Sequence, residues 1–127
     1  MKKTALLISL FTFTVIIFIS CSKDGGTTGG GGTGGGGTRT FSCVGITPKF
    51  SADVQPILTT LCSINSNCHA AGSTNSGGAF TTHAEVNAKK SNIRSQILSG
   101  AMPQSGTITQ AQINAFICWI DNGAPNN

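Results

Sequence analysis

The residues with the clearest chemical potential lie in the stretch "CSINSNCHAAG", which spans residues 62–72. Cys62 and Cys68 precede His69 in the order in which a covalently attached haem is held. The spacing differs from the usual C-x-x-C-H motif, because five residues separate the two cysteines. The stretch therefore has two interpretations: a lengthened haem-attachment site, or a disulfide loop with a histidine beside it.

Met102 is a second candidate ligand. It is the only methionine besides the initiator, and it lies in the loop "SGAMPQSGTI", residues 99–108, immediately before Pro103. A methionine that fills a core usually lies among the apolar residues of a helix, whereas this one lies among Gly and Ser. Long loops in a small domain are often functional. Together with His69 upstream, this position predicts that Met102 is a metal ligand.

The amino terminus indicates the compartment. Residues 1–21 start with two lysines after Met1, continue with an apolar run and end at Cys21, which is the layout of a bacterial secretory signal. No A-x-A cleavage site closes the run, and "FISC" instead resembles the lipoprotein box whose cysteine is lipidated. We predict lipidation of Cys21 and export to the periplasmic or cell-surface face of a bacterial outer membrane. An uncleaved membrane anchor is the alternative.

Residues 22–39 contain ten of the seventeen glycines in the chain, with Thr as the other main component. Such a segment cannot bury apolar surface and behaves as a flexible coil. We predict that it is a tether between the lipid anchor and a folded domain over residues 40–127.

The charge of the chain argues against nucleic acid as a partner. The formal net charge is +4, and it falls to about +2 when Lys2 and Lys3 leave with the signal. This charge is small and scattered. The only local cluster consists of Lys89, Lys90 and Arg94. It is either a solvated helix face or a docking surface for an acidic redox partner.

The predicted domain has fewer than 90 residues, one Trp and no Tyr. Domains this small usually recruit disulfides, metals or a cofactor to become stable. The large apolar residues follow helical spacing, and no stretch alternates strictly enough to predict a strand. The sequence therefore predicts an all-α fold of three to four short helices with long loops.

Three segments carry the helical spacing. The first has Phe50, Val54, Ile57, Leu58 and Leu61 on one face, with Asp53 as the expected N-cap and Ser51 as the alternative. The second lies between residues 82 and 100; we predict two pieces broken near Ser91, the latter carrying Ile93, Ile97 and Leu98 and ending at Gly100. The third starts with a Thr109–Gln112 capping box, buries Ile113, Phe116, Ile117 and Ile120, and stops at Gly123.

From Phe50 onwards the chain resembles the small class I c-type cytochrome domains of exported bacterial proteins. The most specific matches are "DVQPIL" before Cys62, "SGAMP" around Met102 and "WIDNGAPNN" at the end. The resemblance implies a small cytochrome c-like fold around one covalently attached haem c. It implies thioether bonds from Cys62 and Cys68, with His69 as the proximal and Met102 as the distal iron ligand. It also implies that the first and last helices cross beside the haem.

The longer cysteine spacing departs from this family pattern. The adjacency of Cys68 and His69 is kept, and the extra residues in "SINSN" can bulge outward because Ser and Asn suit a turn. Attachment of the haem through a single thioether, or slow attachment, stays open as an alternative.

Two other interpretations of the motif stay open. Exported cysteines often pair, so Cys62 and Cys68 could form a disulfide. A zinc site would need His83 as a further ligand, and zinc rarely binds a thioether. We expect His83 to be a surface histidine in the first turn of a helix instead.

Two cysteines remain once lipid and haem are assigned. Cys118 lies on the last helix, roughly opposite its apolar stripe, and a segment crossing that face could bring Cys43 to it. We predict a Cys43–Cys118 disulfide. Trp119 on the same helix is expected to be a core residue, a ring packed on the haem, or both.

The function predicted from the sequence is electron transfer by a membrane-tethered monohaem cytochrome c with an unidentified redox partner protein. With both axial positions filled and no second acid, base or nucleophile assembled, an enzyme is not expected. Dissociation of Met102 would instead allow small-ligand binding or a peroxidase role. The alternative function is a haem-free, disulfide-stabilised surface lipoprotein that acts as a binding module.

Overall fold

The structure, a computed structural model, describes residues 38–127. This part of the chain forms three helices and no strand: α1 (residues 50–62), α2 (His83–Leu98) and α3 (Gln110–Asp121). The prediction of an all-α fold with long loops is therefore confirmed. The predicted signal peptide with Cys21, and the predicted tether up to residue 37, lie outside the described residues. None of the three described helices has the length and apolar character needed to cross a membrane.

Helix α1 combines two hydrogen-bonding patterns. An α-helical turn, Gln55–Ile57, lies between π-helical turns at Phe50–Val54 and Leu58–Cys62. The predicted apolar face is confirmed, since four of its members are buried and the fifth is half-buried: Phe50, Val54, Ile57, Leu58 and Leu61. This face places Cys62, the last residue of the helix, at the edge of the core.

The predicted N-cap of α1 is wrong. The helix begins at Phe50, and Asp53 lies inside it, where its carboxylate accepts a hydrogen bond from the Lys49 N–H at 2.7 Å. The carboxyl-terminal residue supplies the missing acceptors. The Asn127 side chain accepts from the Phe50 N–H at 2.9 Å, and its backbone carbonyl accepts from the Ser51 N–H at 2.9 Å. Free N–H groups at a helix start need such partners, and here they come from the other end of the domain.

Helix α2 is continuous, so the predicted break near Ser91 is wrong. The helix starts at a capping box in which the Thr82 hydroxyl and the Glu85 carboxylate each accept the other residue's backbone N–H. Ser91 is exposed in the middle of the helix. Because Val86 and Ile93 on either side of it are buried, packing holds the helix together across this weak helix former.

Helix α3 matches its prediction. Thr109 and Gln112 form the capping box, and Gly123 follows the helix at a φ of +92°, a conformation that favours glycine. The four predicted core residues are buried: Ile113, Phe116, Ile117 and Ile120. The helix packs against both the first part of α1 and α2, so it forms the centre of the fold.

The predicted Cys43–Cys118 disulfide is present, with a Cα–Cα distance of 5.5 Å. It holds the segment before α1 against α3. A neighbouring hydrogen bond from the Ser42 N–H to the Asn114 side chain at 3.1 Å supports the same contact. The segment that precedes the first helix is therefore part of the folded domain.

Candidate cofactor site

A cavity of about 420 Å³ lies between the three helices and the two long loops. All four residues predicted to hold the cofactor line it: Cys62, Cys68, His69 and Met102. Its apolar walls come from every helix and both loops: Ile57, Leu61, Phe80, Ile93, Ile97, Ile108 and Phe116. The volume falls in the range of about 300–1,000 Å³ that small-molecule and cofactor sites occupy. The fold thus brings sequence-distant candidate ligands to one apolar cavity.

The loop between the cysteines folds outward, as predicted. Residues 64–67 are exposed, and Asn65 accepts the Cys68 N–H through both its backbone carbonyl (3.0 Å) and its side chain (3.1 Å). The His69 N–H donates to the Cys62 carbonyl at 3.0 Å. These hydrogen bonds close the loop and return the chain to the end of α1. The extra residues are therefore accommodated without moving Cys68 and His69 away from the cavity.

The imidazole of His69 is held in one orientation. Its Nδ1 lies 2.7 Å from the Gly78 carbonyl, and its ring stacks on Phe80 at a centroid distance of 4.0 Å and an angle of 17°. With the proton on Nδ1, this nitrogen donates to the carbonyl and Nε2 keeps its lone pair. Metal-binding histidines are commonly oriented by such a backbone hydrogen bond. This orientation leaves Nε2 as the ring nitrogen of His69 that could bind a metal.

Gly77 contributes to this orientation by having no side chain. A Cβ atom at this position would lie 2.7 Å from Cε1 of His69 and 3.0 Å from Cζ of Phe80. We expect Gly77→Ala to lower the free energy of unfolding by about 1–3 kcal/mol, because the stacked ring pair must move to make room. Urea unfolding of the full chain measures this loss.

The control for Gly77→Ala is Ser76→Ala, a change at the exposed neighbouring position. It is expected to leave the unfolding free energy within about 0.5 kcal/mol of wild type. Equal stability of the Gly77→Ala protein and wild type would show that His69 and Phe80 are not fixed as the structure has them.

The two cysteines of the motif differ in burial. Cys62 is a free thiol, so a Cys62–Cys68 disulfide is not formed. Cys68 is buried, with 4% of its surface exposed, whereas Cys62 is half-buried.

Burial raises the pKa of the Cys62 thiol from 9.0 to about 11. Since only the thiolate is nucleophilic, a rise of about two pKa units lowers the reactive fraction roughly 100-fold at pH 8. We expect iodoacetamide to alkylate Cys62 at least this much more slowly in the folded haem-free chain than in the urea-unfolded chain, measured by peptide mass mapping. The folded-state rate should keep rising with pH up to about 11. Similar rates in both states at pH 8 would contradict the buried environment of this thiol.

Met102 enters the cavity wall from the loop that follows α2. Its backbone N–H donates to the Gln96 carbonyl at 3.0 Å, and its own carbonyl accepts from Arg39 at 2.6 Å. Pro103 follows it in the same wall. Met102 is half-buried and is not among the residues that form the main core cluster or pack against it. This position fits a ligand better than a core filler.

Trp119 does not line the cavity. It is fully buried in the core, its Nε1 donates to the Pro125 carbonyl at 2.9 Å, and its ring lies 6.0 Å from that of Phe116. Of the two expected roles, the structure places Trp119 in the core. Phe116, which does line the cavity, lies between Trp119 and the site.

His83 is half-buried, so its expected surface position is wrong. It is the first residue of α2, as predicted, but its Nε2 lies 2.9 Å from the Ala124 carbonyl. Its ring also makes edge contacts with Phe50 and Trp119, at 5.0 and 5.8 Å. Within residues 38–127, no group of three or more His, Cys, Asp or Glu side chains could hold a metal ion, so the zinc interpretation gains no support.

The basic cluster on α2 is divided among three environments. Arg94 pairs with Asp121 at 2.8 Å, and Lys90 donates to the Asn87 side chain at 2.9 Å. Lys89 lies at the cavity, together with the polar residues Ser76, Asn92, Gln96, Gln104 and Ser105. The cavity therefore has a polar portion that can face charged groups of a ligand.

Comparisons of this chain with known protein families, with curated proteins and with solved structures found no match. The interpretation of the site consequently depends on its own geometry. Sequence reasoning did not assign Gly77, Gly78 and Arg39 a role in orienting the candidate ligands. The adjacent glycines at positions 77 and 78 were a visible signal, whereas nothing local to Arg39 indicates its contact with Met102.

Proposed function

We propose that this protein is an electron carrier, a monohaem c-type cytochrome with His69 and Met102 as axial ligands. The observation that carries the proposal is that an oriented imidazole and the only internal methionine line the same apolar cavity as Cys62 and Cys68. Under this proposal the domain would have a cytochrome c-like fold, and the contact of α1 with α3 would be the helix crossing that the sequence resemblance implies.

The residues present fit a haem group. Nε2 of His69 is left with a lone pair, the Met102 thioether is a neutral soft donor, and the walls are mainly apolar. Cys62 and Cys68 would hold the group covalently, and the polar portion of the cavity would face its carboxylates. When bound, a haem iron supplies one-electron oxidation and reduction.

The protein's own residues would set the properties of that electron exchange. The hydrogen bond to Gly78 and the stacking on Phe80 would keep the imidazole in one orientation in both oxidation states. A thioether ligand favours the reduced metal and raises the reduction potential. The apolar walls exclude water, so little solvent rearranges when charge changes. With His69 and Met102 both bound to the iron, no coordination position would be open to a substrate, which would suit a carrier rather than an enzyme.

The proposal extends to the location of the domain. A lipidated Cys21 and a Gly/Thr-rich tether would hold the cytochrome at an exported membrane surface while it contacts a redox partner protein. The cysteines and their disulfide at Cys43–Cys118 agree with an oxidising compartment.

A haem-free binding module is the second candidate, and one observation favours it. The Cys43–Cys118 disulfide cross-links the domain without any bound group, as expected of a disulfide-stabilised module. The apolar cavity would then bind another small molecule.

Reversible redox chemistry distinguishes the two functions. The full-length protein, produced with a cytochrome c maturation system, is expected to show one reversible one-electron transition. Its reduced form should not bind carbon monoxide unless denaturant releases Met102. Carbon monoxide binding to the native reduced protein would favour the small-ligand role, and the absence of any redox transition would favour the haem-free module.

A further inference from the structure

Arg39 joins the beginning of the described chain to the Met102 loop. Its guanidinium Nη1 donates to the Ile97 carbonyl at 3.0 Å and to the Met102 carbonyl at 2.6 Å. Its backbone N–H donates to the Leu98 carbonyl at 2.7 Å. The sequence predicted Arg39 as the last residue of the tether, but these contacts make it part of the folded domain. One half-buried side chain thus connects the end of α2 with the residue proposed to bind iron.

The backbone of Met102 is fixed on both sides. Its N–H donates to the Gln96 carbonyl, and its carbonyl accepts from Arg39, whose charge strengthens the hydrogen bond. Between Leu98 and Met102 the chain turns at Gly100, which has a φ of +76°. If Arg39 were lost, the Met102 N–H bond to Gln96 and a Gly100 N–H bond to the Ile97 carbonyl at 3.1 Å would still hold this turn to α2, but the Met102 carbonyl would lose its hydrogen bond. Pro103, which follows directly, restricts the backbone conformation of Met102.

We propose that Arg39 is a positioning residue for Met102: it fixes the backbone from which the thioether reaches the cavity and so favours methionine ligation over ligands from solution. This inference rests on the proposed function. Arg39 touches a backbone carbonyl and not the ligating atom, so it acts through the pre-organisation of the loop. Under this proposal, Arg39, the last residue of the predicted tether, would position the methionine that binds the iron.

A different role for Arg39 would be to cap α2. A cation near the carboxyl end of a helix stabilises it through the last carbonyls and the helix dipole. A pure cap changes only the stability of the fold. A positioning residue also changes the competition between Met102 and an external ligand, and this difference makes the two roles separable.

The test is an imidazole titration of the oxidised, haem-loaded full chain, followed by absorption. Arg39→Gln is expected to raise the affinity for imidazole by about tenfold, because a charge-assisted hydrogen bond that holds the bound loop is lost. Arg39→Lys, which keeps the charge but has a single donor group, should recover part of the effect. Arg94→Gln is the matched control, since it removes an arginine of α2 that pairs with Asp121 away from the cavity.

An unchanged imidazole affinity in Arg39→Gln overturns the inference, as does an equal rise in Arg94→Gln. A haem-free wild-type protein would remove the proposed function, and hydrogen exchange of the Met102 amide in the full chain would then decide about Arg39. Exchange about tenfold faster in Arg39→Gln, but not in Arg94→Gln, supports positioning of the loop. Equal exchange in both variants overturns it.

Discussion

Replacing Met102 with leucine is expected to lower the reduction potential of the haem-loaded protein by roughly 0.2 V, within the span of about 0.8 V that axial ligation can produce. Leucine keeps an apolar side chain of similar size but has no sulfur to bind iron. The oxidised variant should lose the long-wavelength absorption that methionine-to-iron ligation gives, and the reduced variant should bind carbon monoxide. Potentiometric titration with spectra of both states measures these changes.

The control for Met102→Leu is Ile108→Val, a mild change at another apolar position of the cavity wall. It is expected to shift the potential far less, because it removes no ligand. A Met102→Leu protein with an unchanged potential and spectrum would contradict methionine ligation and leave Met102 as part of the cavity wall only.

Removal of the Cys43–Cys118 disulfide is expected to lower the free energy of unfolding by about 4 kcal/mol. The two cysteines are 75 residues apart, so the cross-link restricts most of the unfolded domain. Because a domain of this size has only a few kcal/mol of stability, the Cys43→Ser/Cys118→Ala double variant should be largely unfolded without haem at growth temperature. Guanidinium unfolding of the haem-free full chain, monitored by circular dichroism, measures the loss.

The control for the disulfide variant is Cys62→Ala, which removes a half-buried thiol but no cross-link. This substitution should lower the free energy of unfolding by about 1 kcal/mol. A double variant as stable as this control would show that the cross-link does not stabilise the domain, and that the packing of α3 suffices.

The helices that sequence reasoning placed well are those with local signals. For α3 the capping box, the apolar stripe and the terminating Gly123 all lie within one short segment, and all were confirmed. The start of α1 was missed because its N–H groups are satisfied by Asn127 at the other end of the domain. The break expected at Ser91 did not occur because burial on both sides outweighs the weak helix propensity of one exposed serine.

The candidate site, like the helices, was predictable where local residue patterns mark it. Residue types and order were sufficient to expect that the Cys62–His69 motif and Met102 belong to one site, and the structure brings them to one cavity. The residues that hold these candidate ligands in place were not predictable. Gly77 matters because the rings of His69 and Phe80 occupy the space beside it. Arg39 matters because its guanidinium contacts the Ile97 carbonyl in α2, about 60 residues further along the chain. Both roles depend on tertiary contacts that no local pattern encodes.

The most direct test of the central claim is haem staining of the full-length protein on a denaturing gel, combined with its intact mass. The protein should be produced with a cytochrome c maturation system, beside a C-x-x-C-H cytochrome that reports on the attachment machinery. We predict a stained band and a mass raised by one haem, with the stain retained after denaturation because at least one thioether forms. A colourless protein without added mass, while the reference cytochrome is stained in the same cells, would contradict the cytochrome account and favour a haem-free binding module.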